Sequence, residues 1–324
     1  MVGESRAIRR VRSLIQAAAS SLAPVIITGE SGTGKERVAR EIHESSSRRS
    51  GPFVALNCAA IPDTLAESEL FGYERGAFTG AHARNPGAFG DADGGTILLD
   101  EFTELERQMQ PKLLRVLEDR SFRRLGGREG SVDVRTLAAT NQSPEQAVRD
   151  RRFRADLYYR LNVLRIDLPP LRKRIEDVPL LVEHFIREIR EREHKPVEGL
   201  DDKCLGALMA YRWPGNIREL RNVIERAIVM SQSRKLCLRD LPANFKHREA
   251  PASMTIPFGT SRAEADRQFV FGTIAYARGN KARAAAMLEV SRRGLYKFLE
   301  RYEATAPPWH RNGTSHNGRN GTGD

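Results

Sequence analysis

The run Gly29-Glu30-Ser31-Gly32-Thr33-Gly34-Lys35 constrains this chain more than any other stretch. It follows the apolar segment Val25–Thr28, which reads as a strand, and precedes a helical pattern starting near Glu36. Glycines in such a loop let backbone N–H groups curl around a β-phosphate. The helix N-terminus adds a positive end, and Lys35 reaches the β- and γ-phosphates. One strand cannot stand alone, and the residues up to about 170 supply its neighbours by alternating short β-branched runs with helical patterns. Further strands are expected at Phe53–Asn57, Thr96–Asp100, Arg135–Thr140 and Val163–Asp167, up to the breaker Pro169-Pro170. This is the signature of an α/β fold, a parallel five-stranded sheet covered by helices. One residue departs from the general phosphate-loop pattern. Glu36 stands where a Ser or Thr hydroxyl would ligate magnesium, so the metal is expected to lean on Asp100 and water.

The strand Thr96–Asp100 ends in the pair Asp100-Glu101. Asp100 suits a magnesium ion and Glu101 suits polarising an attacking water. A buried strand can end in acids by chance, but downstream of a phosphate loop the pair points to ATP hydrolysis. Asn57 and Thr140-Asn141 also close strands, and ligands of parallel sheets sit outside the strands' carboxyl ends. The same residue types serve ordinary strand-end turns.

From Glu176 to about Phe245 the pattern turns helical, with stretches at Val178–Arg192 and Asp201–Tyr211. Asn216, after the breaker Pro214-Gly215, is expected to cap a helix over Ile217–Ser231. Residues 246–260 mix Pro, Ser and Gly without periodicity and read as a linker. A small all-helical unit over 261–304 follows, and the tail 305–324 reads as disordered. The resulting divisions are 1–172, 173–245, 246–260, 261–304 and 305–324. In the small unit, Glu264–Ala277 reads as a helix stopped by Gly279. Asn280 caps Lys281–Leu288, Glu289-Val290 turns, and Ser291 caps Arg292–Tyr302. Two helices around a tight turn, the second opening on Arg292-Arg293 and carrying Tyr296 and Lys297, follow helix-turn-helix logic. Residues 261–303 hold nine Lys/Arg against five Asp/Glu, which favours an anionic partner. Two features run against that pattern: Glu289 occupies a turn where glycine is frequent, and Gly294 costs its helix about 1 kcal/mol relative to alanine. A small dimerisation unit is the competing interpretation, and it would lack salt-dependent DNA binding.

The whole chain carries +11 at neutral pH, in keeping with nucleotide or nucleic-acid partners. The opening residues hold no apolar signal region. Their apolar positions Ile8, Val11, Leu14 and Ile15 recur at helical spacing instead, predicting a packed amphipathic helix. No apolar run approaches the ~18 residues of a membrane span. The three cysteines have no disulfide or metal-ligand spacing, so a reducing cytoplasm is expected.

Six segments in order resemble one family, the AAA+ ATPases that activate the sigma-54 form of bacterial RNA polymerase. They are GESGTGKE (29–36), LFGYERGAFTGA (70–81), GGTILLDE (94–101), LGGREGSVDVR (125–135), FRADLYYRLNVL (153–164) and WPGNIRELRN (213–222). The resemblance runs nearly continuously over residues 1–245. It implies an AAA+ P-loop NTPase with a parallel five-stranded sheet and a helical lid, plus a small all-α helix-turn-helix domain. In this family a glutamate after the lysine is usual, which removes the oddity of Glu36. The stretch Gly76-Ala77-Phe78-Thr79-Gly80-Ala81 is the most diagnostic. Read physically, Gly76 and Gly80 are flexible corners and Phe78-Thr79 a tip whose exposure is costly unless a partner covers it. Packing of Phe78 as a loop anchor is the alternative. The resemblance implies that this loop engages the sigma factor and moves with nucleotide state.

On a helix the six-residue spacing of Arg154 and Arg160 turns them roughly 120° apart, fit for different jobs. Arginine best stabilises the phosphoryl charge that spreads during hydrolysis. The resemblance implies a finger supplied in trans by one of them, Arg160 favoured and Arg154 in support. A homo-oligomeric ring, expected to be a hexamer, follows from that role. It further implies that Arg218 is the second sensor, Thr140 and Asn141 the first, and that Asn57 switches Glu101 between poses. Residues 279–302 resemble the Fis-type DNA-binding domain that commonly ends these activators, with Ser291, Arg292, Arg293, Tyr296 and Lys297 as DNA contacts. The expected cofactors are ATP and Mg2+. The expected partners are sigma-54 RNA polymerase holoenzyme and double-stranded DNA, with no membrane. Fewer than thirty residues precede the phosphate loop, so control is expected from a partner in trans or from an upstream region outside this sequence. A DNA-binding repressor with a vestigial ATPase, or a general AAA+ remodeller, would leave the 76–81 loop unexplained.

Overall fold

Strands form up to the lid, and the apolar runs among them do so because each is short and bounded by turn residues. In chain order they are β1 (Val25–Thr28), β2 (Phe53–Asn57), β3 (Thr96–Asp100), β4 (Ser121–Arg123), β5 (Glu129–Ser131), β6 (Arg135–Thr140) and β7 (Leu164–Asp167). These come from a computed structural model that describes residues 1–127, 129–246, 256, 258–277 and 280–303. Five strands pair in the order β2-β3-β6-β1-β7, all parallel, while β4 and β5 form a separate antiparallel hairpin. The last expected strand begins one residue late. Val163 turns its N–H back to the Leu161 carbonyl at 3.0 Å and leaves its side chain in solvent.

Alternate residues of the central strands feed two cores, as a period of two requires. Ile26, Ile97, Leu99 and Ala138 face a cluster with Phe71, Phe89, Phe102, Leu113 and Phe153. Val25, Ile27, Leu98, Leu137 and Ala139 face the other way, against Val11 and Ile15 of the N-terminal helix Arg6–Ala19 and Val38 and Ile42 of the helix Lys35–Glu44. Leu14 is the exception to the predicted apolar stripe, 37% exposed on the outer side of its helix.

A third core forms the lid. Helices Val178–Glu193, Asp202–Ala210 and Asn216–Met230 bury Val182, Phe185, Leu208, Trp213, Ile224 and Ala227. Asp201 is the N-cap of the middle one, its carboxylate accepting the Cys204 N–H at 2.6 Å, so that helix starts one residue later than expected.

The chain divides into two compact units, the first Met1–Lys246 and the second the residues beyond. In the second unit the helices are Arg262–Tyr276, Lys281–Met287 and Arg292–Glu303. The first begins two residues before the expected Glu264, because Ser261 Oγ accepts the Glu264 N–H at 3.3 Å and caps it. Asn280 and Ser291 cap the next two as expected, accepting from Arg283 and Gly294 N–H at 3.0 and 3.1 Å. Between them Glu289 takes φ +54°, the left-handed turn that glycine would occupy without strain. Ala277, Ala284, Ala285, Leu295 and Leu299 make the small core. Ser291, Arg292, Arg293, Tyr296 and Lys297 all lie exposed, and Lys281 Nζ stands 5.0 Å over the Tyr296 ring. Most of the expected linker 246–260, the stop at Gly279 and the tail 305–324 lie outside the described residues.

Leu98 is fully buried in the middle of the sheet. Leu98→Ala is expected to destabilise the first unit by roughly 2–5 kcal/mol through lost burial and a residual cavity, measurable by urea unfolding.

Candidate active site

The phosphate loop is built by strand ends. Gly29 donates its N–H to the Thr140 carbonyl at 3.2 Å, so β1 and β6 hold its start. Thr33 folds the loop back, its N–H and Oγ1 both donating to the Glu30 carbonyl at 3.3 and 2.8 Å. Gly32 and Gly34 take φ +77° and +100°, which non-glycine residues rarely adopt. The helix from Lys35 then starts with its free N–H groups aimed back at the loop.

Lys35 is buried, donates Nζ to the Gly29 carbonyl at 3.1 Å and lies 3.4 Å from Glu101 Oε1. Glu101 itself has φ +50°, and its Oε2 accepts the Asn141 N–H at 2.9 Å. Asp100, at the end of β3, accepts the Glu101 N–H at 3.0 Å. Burial raises the Asp100 pKa above the usual carboxylate range. The Glu101 charge adds to that rise, and Lys35 opposes it. A carboxylate in that situation gains from a nearby cation. Lys35, Asp100, Glu101 and the Asn141 backbone thus converge at one point.

Other expected residues are engaged elsewhere. The Thr140 hydroxyl is fully buried and pairs with Thr103 Oγ1 at 2.8 Å while accepting the Gln142 N–H. Asn57 Oδ1 accepts the Ala59 N–H at 3.0 Å, capping the short turn after β2. Glu36 forms a helical i,i+4 pair with Arg40.

The lid meets the loop through its helix N-terminus. Ile217 and Arg218 donate their N–H groups to the Gly32 carbonyl at 2.9 and 3.3 Å, and Arg218 Nη1 reaches Ser31 Oγ at 2.9 Å. A Cβ on Gly32 would run into the Gly215 carbonyl oxygen, so the contact needs glycine there. A cleft of about 400 Å³ opens beside Ser31, lined by Gly215, Arg218, Asn222 and Arg226. Asn216 is not the side-chain cap that the sequence predicts. It has φ +52°, is fully buried, and spends its amide on Leu171, Glu30 and Ser31. Arg172 and Arg174, absent from the sequence-derived set, also touch the loop.

The diagnostic loop stands on the β4–β5 hairpin. Glu74 N–H donates to the Leu125 carbonyl and Leu125 N–H to the Gly72 carbonyl, both at 3.0 Å. Gly76 N–H donates to the Ala81 carbonyl at 2.9 Å and pinches the base. Gly76 and Gly80 are left-handed at φ +83° and +109°. Between them Phe78 is 46% exposed with its ring edge-on to Tyr73 at 4.9 Å, so it is partly anchored and partly presented. Thr79 is exposed.

Arg154 and Arg160 do not share a helix. Arg154 precedes the helix Ala155–Leu161 in extended conformation and grips Asp156 at 3.0 and 2.6 Å. Arg160, inside it, donates to the Leu117 carbonyl at 3.3 and 3.1 Å. Both guanidiniums remain at the surface.

Known proteins share this arrangement. A family model described as "Sigma-54 interaction domain" matches residues 1–167, more than half of the chain. The chain belongs to the sigma-54-dependent activators. An "AAA+ ATPase lid domain" model matches residues 172–255, and "Bacterial regulatory protein, Fis family" matches 262–302. The transcriptional regulatory protein ZraR of Escherichia coli K12 is 46% identical over 307 residues, covering 93% of this chain and 68% of ZraR. The regulatory protein AtoC of the same organism is 44% identical over 292 residues, 88% of this chain and 63% of AtoC. Among solved structures, NtrX from Brucella abortus in complex with ATP superposes with a TM-score of 0.72 at 35% identity, over 94% of this chain and 69% of that one. This activator is therefore an AAA+ ATPase carrying a Fis-type DNA-binding helix-turn-helix.

Because Gly32 is packed against the lid, Gly32→Ala is expected to lift the lid helix from the loop. Nucleotide affinity should fall about tenfold or more, read by titration calorimetry, with helix content unchanged.

Proposed function

We propose that this activator hydrolyses ATP·Mg2+ on the loop 29–36 and uses the cycle to drive the 76–81 loop against sigma-54. The driven loop remodels the closed promoter complex while the helix-turn-helix holds upstream DNA. The convergence of Lys35, Asp100 and Glu101, with Arg218 reaching Ser31 of the same loop, carries the reading, since phosphoryl transfer needs positioned charge more than covalent chemistry. Lys35 engages the β- and γ-phosphates, and a triphosphate competes with Glu101 for it, freeing that carboxylate to polarise water. Asp100 fits a magnesium ion held jointly with phosphates, the usual mode for this cation. Bound, the ion would neutralise developing phosphate charge.

In this reading Asn57 reorients Glu101, Asn141 with Thr140 senses the phosphate from the sheet, and Arg218 senses it from the lid. Arg160 reaches a neighbouring subunit's nucleotide with Arg154 in support, within a hexameric ring. The working parts are the ATPase core 1–172, the lid 173–245, a linker over 246–260 and the DNA reader 261–304, with 305–324 as a tail. The reader contacts DNA through Ser291, Arg292, Arg293, Tyr296 and Lys297. The site of action is the cytoplasm, where RNA polymerase works. Among the described residues no helix is long and apolar enough to cross a membrane.

Lys35→Ala is expected to abolish nucleotide binding, while Glu101→Gln keeps binding and loses hydrolysis. Undiminished ATP turnover in both would sink the assignment. Thr79→Ala should keep ATPase activity yet fail to form open complexes in transcription from a sigma-54 promoter. Wild-type transcription by that variant would refute the loop's role, and transcription supported by a non-hydrolysable analogue would refute the ATP-driven mechanism.

A further inference from the structure

An acidic residue on an anion-binding loop calls for an explanation, because an unpaired carboxylate there would repel the phosphates. Glu30 is that residue, and its charge is already spoken for. Arg172 grips it with two N–H donors, Nη1 to Oε2 at 2.7 Å and Nη2 to Oε1 at 2.6 Å, the bidentate geometry that fixes orientation as well as charge. Asn216 Nδ2 donates to the same carboxylate at 3.2 Å. Hydrogen bonds from Arg172 and then Asn216 hold the Glu30 pKa at about 2, against 4.5 ordinarily. The sign is that of a lowered acid: the pairing is fully present above pH 4.5 and is lost as the pH falls towards 2. Half-exposure of both partners makes it a device of geometry more than of stability.

Asn216 extends the pairing into a three-way joint. Its Oδ1 accepts the Leu171 N–H at 2.8 Å, and its Nδ2 also donates to the Ser31 carbonyl at 3.0 Å. One buried amide therefore ties the sheet-to-lid connector, the phosphate loop and the lid helix. Arg174, 1% exposed, adds a second link from the connector, donating Nη2 to the Thr33 carbonyl at 3.3 Å. Asn216 tolerates φ +52° better than most residues, and two residues later Arg218 leaves the helix toward Ser31.

We propose that Glu30 and Asn216, with Arg172, are positioning residues for ATP hydrolysis: they set the angle of the lid on the phosphate loop so that Arg218 meets the nucleotide. Glu30, on this inference, does not itself touch the nucleotide. The inference rests on the reading that ATP occupies this loop. Its test uses the full chain, with steady-state ATPase assays and ATP binding measured for Glu30→Ala, Arg172→Ala and the double variant. Each single variant should raise the KM for ATP about tenfold, and the double variant should be no worse than either single. Asn216→Ala and Arg218→Ala should likewise fail to add in kcat, since a misaligned lid has already removed Arg218. Asn216→Asp keeps the acceptor for Leu171 but places a carboxylate against Glu30, and should impair turnover at least as much as Asn216→Ala. Additive effects within either pair would overturn the joint. So would wild-type KM and kcat in Glu30→Ala while Lys35→Ala is inactive, an outcome that leaves the nucleotide assignment standing. Full turnover in Lys35→Ala would overturn both. Glu30 and Arg172 lie at the surface, so their variants keep the test readable should Asn216→Ala fail to fold.

Discussion

The carbonyl oxygen of Gly32 receives two N–H groups from the first turn of the lid helix, and the active site is organised around that meeting. A helix N-terminus carries unsatisfied donors and partial positive charge. Here two of those donors are spent on the loop, and Arg218 follows on the same turn. The sheet fixes Asp100 and Glu101 at the end of β3, Lys35 opens the helix after the loop, and the lid, with its own core, meets the loop here. Asn216, Arg218, Arg172 and Arg174 add side-chain bonds from the lid and its connector to the same loop.

Much of this was legible in the sequence because it is local. Limits of the five sheet strands agreed within a residue, and caps at Asn280 and Ser291 fell where short polar residues precede helical runs, while the β4–β5 hairpin carries no apolar run to announce it. What stayed hidden depends on residues far apart in the chain. Asn216 after Pro214-Gly215 has every local mark of a cap, yet a left-handed backbone and burial against Leu171 and Glu30 redirect its amide. Arg172 and Arg174 sit in an unremarkable basic stretch, and only the folded connector brings them to the loop. Arg154 was placed on a helix by spacing alone, while its extended backbone puts it just before one. Glu30 carried a signal that could have been read: an acid in a phosphate loop implies a partner.

Charge is managed locally, whatever the net +11. Glu101 is satisfied by Lys35 and the Asn141 N–H, and Glu30 by Arg172 and Asn216. Asp100 has burial and the neighbouring Glu101 charge against it, offset in part by Lys35 and the Glu101 backbone N–H. It is thus the acid with most to gain from a divalent cation, which matches the part that chemistry would give it.

The 76–81 loop was drawn from its glycines as a supple element, but its foot is bonded on both sides of Leu125 to the neighbouring hairpin and pinched shut by Gly76 and Ala81. A slack tether dissipates force within itself, whereas a braced one passes displacement to its end. With loop and hairpin joined at the base, Phe78 and Thr79 form the tip of a stiff strut. Any displacement of the hairpin would be carried to that tip, whose shape the glycine corners set.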